Sequence, residues 1–66
     1  MPSSVIRSFS YDETRSELII VFQSGRVYVY EDVPSDIYEA FRAAFAKGEF
    51  FNVHIRDRFA FRRLER

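Results

Sequence analysis

Apolar and polar residues alternate from Val5 to Tyr11, with Val5, Arg7, Phe9 and Tyr11 on one side and Ile6, Ser8 and Ser10 on the other. That period of two predicts a first strand. The polar run Asp12-Glu13-Thr14-Arg15-Ser16 predicts a turn, in which Asp12 can accept a hydrogen bond from the backbone two residues on. Glu17 to Gln23 contains Leu18-Ile19-Ile20-Val21-Phe22, a β-branched and aromatic stretch that predicts the strongest strand of the chain.

The next turn decides which side chains share a face. A two-residue Ser24-Gly25 loop would need positive φ at both positions, whereas a three-residue Gln23-Ser24-Gly25 loop needs it only at Gly25, so the longer loop is expected. Phe22 then pairs with Arg26, Ile20 with Tyr28 and Leu18 with Tyr30. Both tyrosines fall on the face of Leu18, Ile20 and Phe22, and Ile19, Val21, Val27 and Val29 form the opposite face. Both faces are apolar, and one helix covers only one of them. Either the C-terminal segment folds back across the other face or a second copy covers it, which makes a homodimer an expectation of the pattern.

Pro34 suits a first helical position, and Asp36 lies in the first turn, where its charge meets the positive helix end. Ile37, Ala40, Phe41, Ala44 and Phe45 form one apolar stripe, with Glu39 and Arg42 able to pair on the outer side. A helix is predicted from about Pro34 to Lys47, ended by Gly48 as a left-handed cap with Lys47 at the negative end. Glu49 to Ile55 reads as a short helical turn or irregular chain, and Phe59 to Leu64 alternates enough to admit a fourth strand. The predicted fold class is α+β: a three-stranded antiparallel β-meander, one main helix, a short helical turn and a fourth strand, in one domain over residues 1–66.

With 66 residues the core is small, but 18% of them are aromatic, which makes it dense for its size. Zero cysteines exclude a disulfide framework and a thiolate metal site and fit a reducing compartment. No stretch approaches the roughly 20 apolar residues that span a bilayer, so no membrane partner is expected. Met1 to Arg7 has no signal-peptide pattern, which predicts a cytoplasmic protein. The net charge of zero hides an asymmetry: residues 1–46 hold four Lys/Arg against seven Asp/Glu, and residues 47–66 hold six against three. The basic end points toward an anionic partner through local attraction.

An ordered set of residues resembles a known family. Ser4, Ile6, Tyr11-Asp12, Leu18, Ile20, Phe22, Gly25, Tyr28, Tyr30, Val33-Pro34, Tyr38, Gly48, Phe51-Asn52 and Ile55-Arg56 are similar to the pattern of the KTSC domain, named for the C-terminal domain of some lysyl-tRNA synthetases and also found as small free-standing bacterial proteins. The central mark is Tyr28-Val29-Tyr30. The chain departs from the pattern at Ala46, where Ser is expected, and at Phe50 and Phe59, where Tyr is common. The resemblance implies RNA binding, drawn from the family's company with a synthetase.

Candidate RNA-binding residues follow. Tyr28 and Tyr30 read either as core residues of the sheet or as a stacking platform for bases, depending on whether their rings are exposed. Arg56, Arg58, Arg62 and Arg63, interleaved with aromatic residues, read as phosphate contacts or as a solvated basic terminus. Asn52, four residues before Arg56, shares its face if that stretch is helical, or else bonds the backbone near the cap. His54, the single histidine, has no nucleophile motif to serve, and one His without Cys makes no transition-metal site. No catalytic residue, metal, cofactor or small-molecule substrate is therefore expected. An RNA-binding domain and a protein-interaction or homodimerisation module stand as the two functional expectations.

Overall fold

The computed structural model describes residues 5–64; Met1 to Ser4, including the Ser4 of the family pattern, and Glu65 and Arg66 of the basic end lie outside the described residues. Four strands and two helices follow in the order β1 (Ile6–Asp12), β2 (Glu17–Phe22), β3 (Val27–Tyr30), α1 (Ser35–Ala43), α2 (Lys47–His54) and β4 (Phe61–Leu64). The strands form one antiparallel sheet in the order β1-β2-β3-β4, and both helices cover one face of it. This is the predicted α+β class, with the fourth strand present.

The β2–β3 register is the expected one: Leu18 lies opposite Tyr30, Ile20 opposite Tyr28, and Val21 opposite Val27. Gly25 has φ +94°, its N–H donates to the Phe22 carbonyl at 2.9 Å, and the Phe22 N–H donates to the Arg26 carbonyl at 2.9 Å. A single left-handed position, taken by the one residue without a Cβ, closes the three-residue loop. At the preceding turn, Asp12 Oδ1 accepts from the Arg15 N–H at 3.2 Å, three residues on rather than two.

The alternation along β1 departs from a simple period. Ile6 pairs with Phe22 but Ser8 pairs with Val21, so a bulge between them absorbs one extra residue. The bulge brings Ile6 onto the face of Phe9 and Tyr11, and Ile6 is buried. That core combines Ile6, Leu18, Ile20, Tyr30, Val33, Phe41, Phe51 and Ile55, with Phe9, Tyr11, Phe22 and Tyr28 packed against it. The Tyr11 ring stacks on Tyr38 at 4.7 Å, and its hydroxyl donates to the Val33 carbonyl at 2.6 Å, tying the start of α1 to the first strand.

The helical region corrects the expectation of one helix to Lys47 capped by Gly48. Pro34 is the residue before the first turn, with ψ 151°, and α1 ends at Ala43 because Ala44 turns extended, with φ −66° and ψ 137°. Gly48 is buried inside the first turn of α2. The predicted stripe therefore divides: Phe41 is fully buried and Phe45 projects into solvent. Burial explains the break. The second helix places Phe51 and Ile55 over the sheet, where both are buried. Lys47, expected to end the helix, instead opens α2, and its ammonium donates to the Ala44 carbonyl just past α1. Glu39 and Arg42 pair at 2.9 Å on the exposed side, as expected.

The C-terminal segment extends the sheet at β3 instead of crossing the second face. Tyr28 lies opposite Arg63, Val29 opposite Arg62, and Tyr30 opposite Phe61. Arg62 therefore projects onto the second face beside the buried Val29, and its guanidinium reaches Glu17 and Glu31, both at 3.1 Å. Its aliphatic stem shields apolar surface there while the charge is held by two carboxylates.

Candidate functional site

β3 presents Tyr28 and Tyr30 to the helical side, and α2 crosses over the far end of that face. Between α2 and the β2–β3 turn lies a cleft of about 470 Å³. Its floor is aromatic: Phe22 meets Tyr28 edge-on at 5.5 Å and Phe51 at 5.6 Å, and Phe51 meets Tyr30 at 5.5 Å. Its walls carry Gln23, Ser24 and Arg26 from the turn and Gly48, Asn52 and Arg56 from α2 and its end. No Asp or Glu is among the described lining residues. The cleft is thus an apolar slot with two cations, amides and hydroxyls at its rim, a combination suited to a flat group bearing a negative charge.

Four of the seven candidate residues meet here: Tyr28, Tyr30, Asn52 and Arg56. Asn52 lies on α2 and Arg56 two residues beyond its end, where the Arg56 N–H donates to the Phe51 carbonyl at 2.9 Å; the helix does not reach Arg56, and both residues border the cleft. The two tyrosines divide between their alternatives. Tyr30 is 3% exposed and belongs to the core, so it offers the cleft no ring face for stacking. Tyr28 is half-buried and touches Phe61 at 5.2 Å. Phe61 is 52% exposed, which makes it the open ring of the cluster.

The remaining arginines do not converge. Arg62 is on the other face of the sheet, occupied by Glu17 and Glu31, because the pleat turns alternate residues of β4 to opposite sides. Arg63 lies on the face of Tyr28, one strand over, and Arg58 is exposed in the segment between α2 and β4. Arg26 was missed by the sequence reading. It sits in the less basic half of the chain, and only its position after Gly25 in the hairpin marked it as a neighbour of Phe22.

His54 is exposed at the end of α2 with its ring 4.5 Å from Phe50. It borders a separate depression of about 390 Å³ with Phe45 and Val53. Among the described residues no group of three His, Cys, Asp or Glu side chains is arranged to hold a metal ion. No described helix is long and apolar enough to cross a membrane.

The family model for the KTSC domain matches residues 2–59. The chain belongs to the KTSC domain family. It is 43% identical over 61 residues to a lysine–tRNA ligase of Nostoc punctiforme, an alignment covering 92% of this chain and 11% of the ligase. It is 38% identical over 52 residues to an uncharacterized protein of Stutzerimonas stutzeri, covering 79% of this chain and 73% of that protein. The crystal structure of a KTSC domain protein from Yersinia pestis superposes with a TM-score of 0.90 at 35% identity, covering 98% of this chain and 92% of the other. This chain therefore spans about a tenth of the ligase it matches and nearly all of the free-standing domain.

Within the KTSC frame, Tyr28-Val29-Tyr30 is a β3 segment whose two tyrosines wall the cleft while Val29 faces away. The departures at Phe50 and Phe59 place rings without hydroxyls against the core, and Phe50 packs on Phe41 at 5.7 Å. Burial raises the Tyr30 phenol above its ordinary pKa, and the neighbouring Tyr28 pushes the same way. As the pH passes about 10 the unfolded chain releases this proton while the folded chain retains it. The contribution of Tyr30 to stability is therefore complete below that pH and is lost as pH rises through the elevated value. Alkaline unfolding followed by circular dichroism is expected to begin above about pH 10 and to move to higher pH in Tyr30→Phe. An identical alkaline transition in the variant would show that the burial of this phenol is not what limits the domain.

Proposed function

We propose that this KTSC chain is a cytoplasmic, non-enzymatic RNA-binding accessory domain that engages its ligand at the cleft between α2 and the β2–β3 turn. The observation that carries the reading is the composition of that cleft: Arg26 and Arg56 above an aromatic floor, with no carboxylate in its described lining. Phosphate contacts and base contacts require those two kinds of surface together. The relative from Nostoc punctiforme is named for an enzyme that acts with tRNA, and a domain attached to such a protein has RNA within reach. Arg56 and Arg26 take phosphate, Asn52 and Tyr28 meet a base, and Arg63 and Arg58 extend the path on either side. The buried Tyr30 shapes the floor, and the paired Arg62 serves the sheet. The neutral net charge supports affinity that is local to the cleft instead of general attraction to polyanions.

A second reading is self-association through the uncovered face, where Ile19, Val21 and Val27 are only half-buried and Leu64 is 44% exposed. One experiment separates the two. The protein is titrated into labelled bulk tRNA and a mixed single-stranded RNA at low and physiological salt, while its mass is followed by sedimentation over the same concentrations. Each phosphate neutralised on a single strand predicts binding that weakens about 2.6-fold between roughly 50 and 200 mM salt. Absence of binding at low salt, with a mass that doubles on concentration, would replace the RNA reading with the dimer.

A further inference from the structure

The two arginines of the cleft differ from the other arginines whose partners are visible. Arg42 is bonded to Glu39, and Arg62 to Glu17 and Glu31. Among the described residues neither Arg26 nor Arg56 is in a salt bridge. Their backbones are nonetheless held. The Arg26 carbonyl accepts from Phe22 at 2.9 Å in the hairpin turn, and the Arg26 N–H donates to Ser24 Oγ at 3.4 Å. Arg56 is fixed at the end of α2 through Phe51. Two cations on separate, ordered elements thus border one slot without the carboxylates that neutralise arginines elsewhere in the sheet and helix.

The size and shape of the slot narrow the ligand. At about 470 Å³ it falls in the lower part of the range of roughly 300–1,000 Å³ typical of small-ligand sites. It is concave, whereas a nucleic-acid duplex is read by a convex element entering a groove. A concave aromatic slot accepts a base that has left its stack. We infer that this cleft holds one unpaired nucleotide, with its phosphate between Arg26 and Arg56 and its base against the half-buried Phe22 and Tyr28 rings, the Asn52 amide meeting the base edge. The inference deepens the RNA-binding reading and rests on it for the polymer, but the pocket itself is testable with a mononucleotide.

The probe is adenosine monophosphate, with adenosine and inorganic phosphate as its two halves, followed through backbone amide chemical shifts of the whole chain at low salt. The expected result is a set of shifts confined to residues 22–30 and 48–56. Each half should bind at least about tenfold more weakly than the nucleotide, since each gives up one set of contacts. Arg26→Gln and Arg56→Gln are each expected to weaken the nucleotide by about tenfold, the loss of one charge-assisted bond, while Arg15→Gln, on the exposed β1–β2 turn outside the cleft, leaves it unchanged. Both are surface changes, and an unaltered spectrum of the free variant verifies folding. Adenosine binding as tightly as its monophosphate, or shifts centred elsewhere, would overturn the inference. RNA binding that the nucleotide neither reproduces nor competes with would also overturn it while leaving the RNA-binding reading standing. Nucleotide binding in the cleft without RNA affinity would uphold the pocket and sink the polymer reading.

Discussion

Phe41→Ala is expected to lower the stability of the domain by about 3–5 kcal/mol, a large share of its whole margin. Phe41 is fully buried, and its ring lies 4.6 Å from Phe9 and 5.7 Å from Phe50, joining the first strand to both helices. Truncating a buried phenylalanine costs about 3–5 kcal/mol, part lost transfer energy and part cavity. A chain of 66 residues has, at about 0.05–0.15 kcal/mol per residue, only about 3–10 kcal/mol in total. The substitution thus removes a third or more of the margin, and there is no disulfide to hold the remainder together. Urea unfolding of the wild type and of Phe41→Ala gives the difference directly. A loss below about 1 kcal/mol would mean that the helices rest on the sheet more loosely than their packing indicates. Phe45→Ala, one turn on, is the internal contrast: its ring is in solvent, and a change within about 0.5 kcal/mol is expected.

The largest functional effect is expected from reversing both cleft cations. Arg26→Glu with Arg56→Glu replaces two attractive phosphate contacts by two repulsive ones and should reduce affinity for single-stranded RNA by at least about a hundredfold, at roughly tenfold per lost contact. The slope of log affinity against log salt should shrink by about 0.7 for each phosphate released. Folding should be little affected, because both side chains are exposed and neither is in a salt bridge among the described residues. The matched control is Arg15→Glu with Arg42→Glu, which makes the same change in net charge on the β1–β2 turn and on α1. Equal losses in both double variants would reduce the interaction to general electrostatics and remove the cleft from the account.

The neutral overall charge gives that comparison its force. A strongly basic domain binds RNA over much of its surface, and local charge reversals are then diluted. Here Glu39 holds Arg42 on α1, and Glu17 and Glu31 hold Arg62 on the sheet, so the surface is balanced except where carboxylates are absent. The cleft is such a place.

Local chemistry made much of this fold readable. The β2–β3 register follows from one demand, a positive φ that Gly25 meets and Ser24 resists, and it places Tyr28 and Tyr30 on the face of Leu18, Ile20 and Phe22. Other features have no local signal. Ala44 has good helix propensity, yet it ends α1, because tertiary packing of Phe51 and Ile55 outweighs the small preference of an alanine for helix. Gly48 looked like a cap and is an ordinary, buried helical residue, since a glycine near a chain reversal is compatible with either role.

The candidate site was half legible for the same reason. Residue type and spacing were enough to select Tyr28, Tyr30, Asn52 and Arg56, and the family pattern contains all four. Spacing could not divide the tyrosines, because burial depends on what crosses over them: α2 and Phe61 bury Tyr30 and leave Tyr28 at the cleft. Nor could it separate Arg62 from Arg63, since the side to which each points depends on the registration of β4 against β3. What the sequence by itself determined was the set of elements, the central hairpin register and the family, all of which rest on interactions between residues close along the chain. The tertiary structure alone decided where the helix breaks, which arginines are already held by carboxylates, and that Arg26 and Arg56 border one cleft. Those facts depend on contacts between distant segments, whose energies come from burial and charge pairing that no single stretch of chain contains.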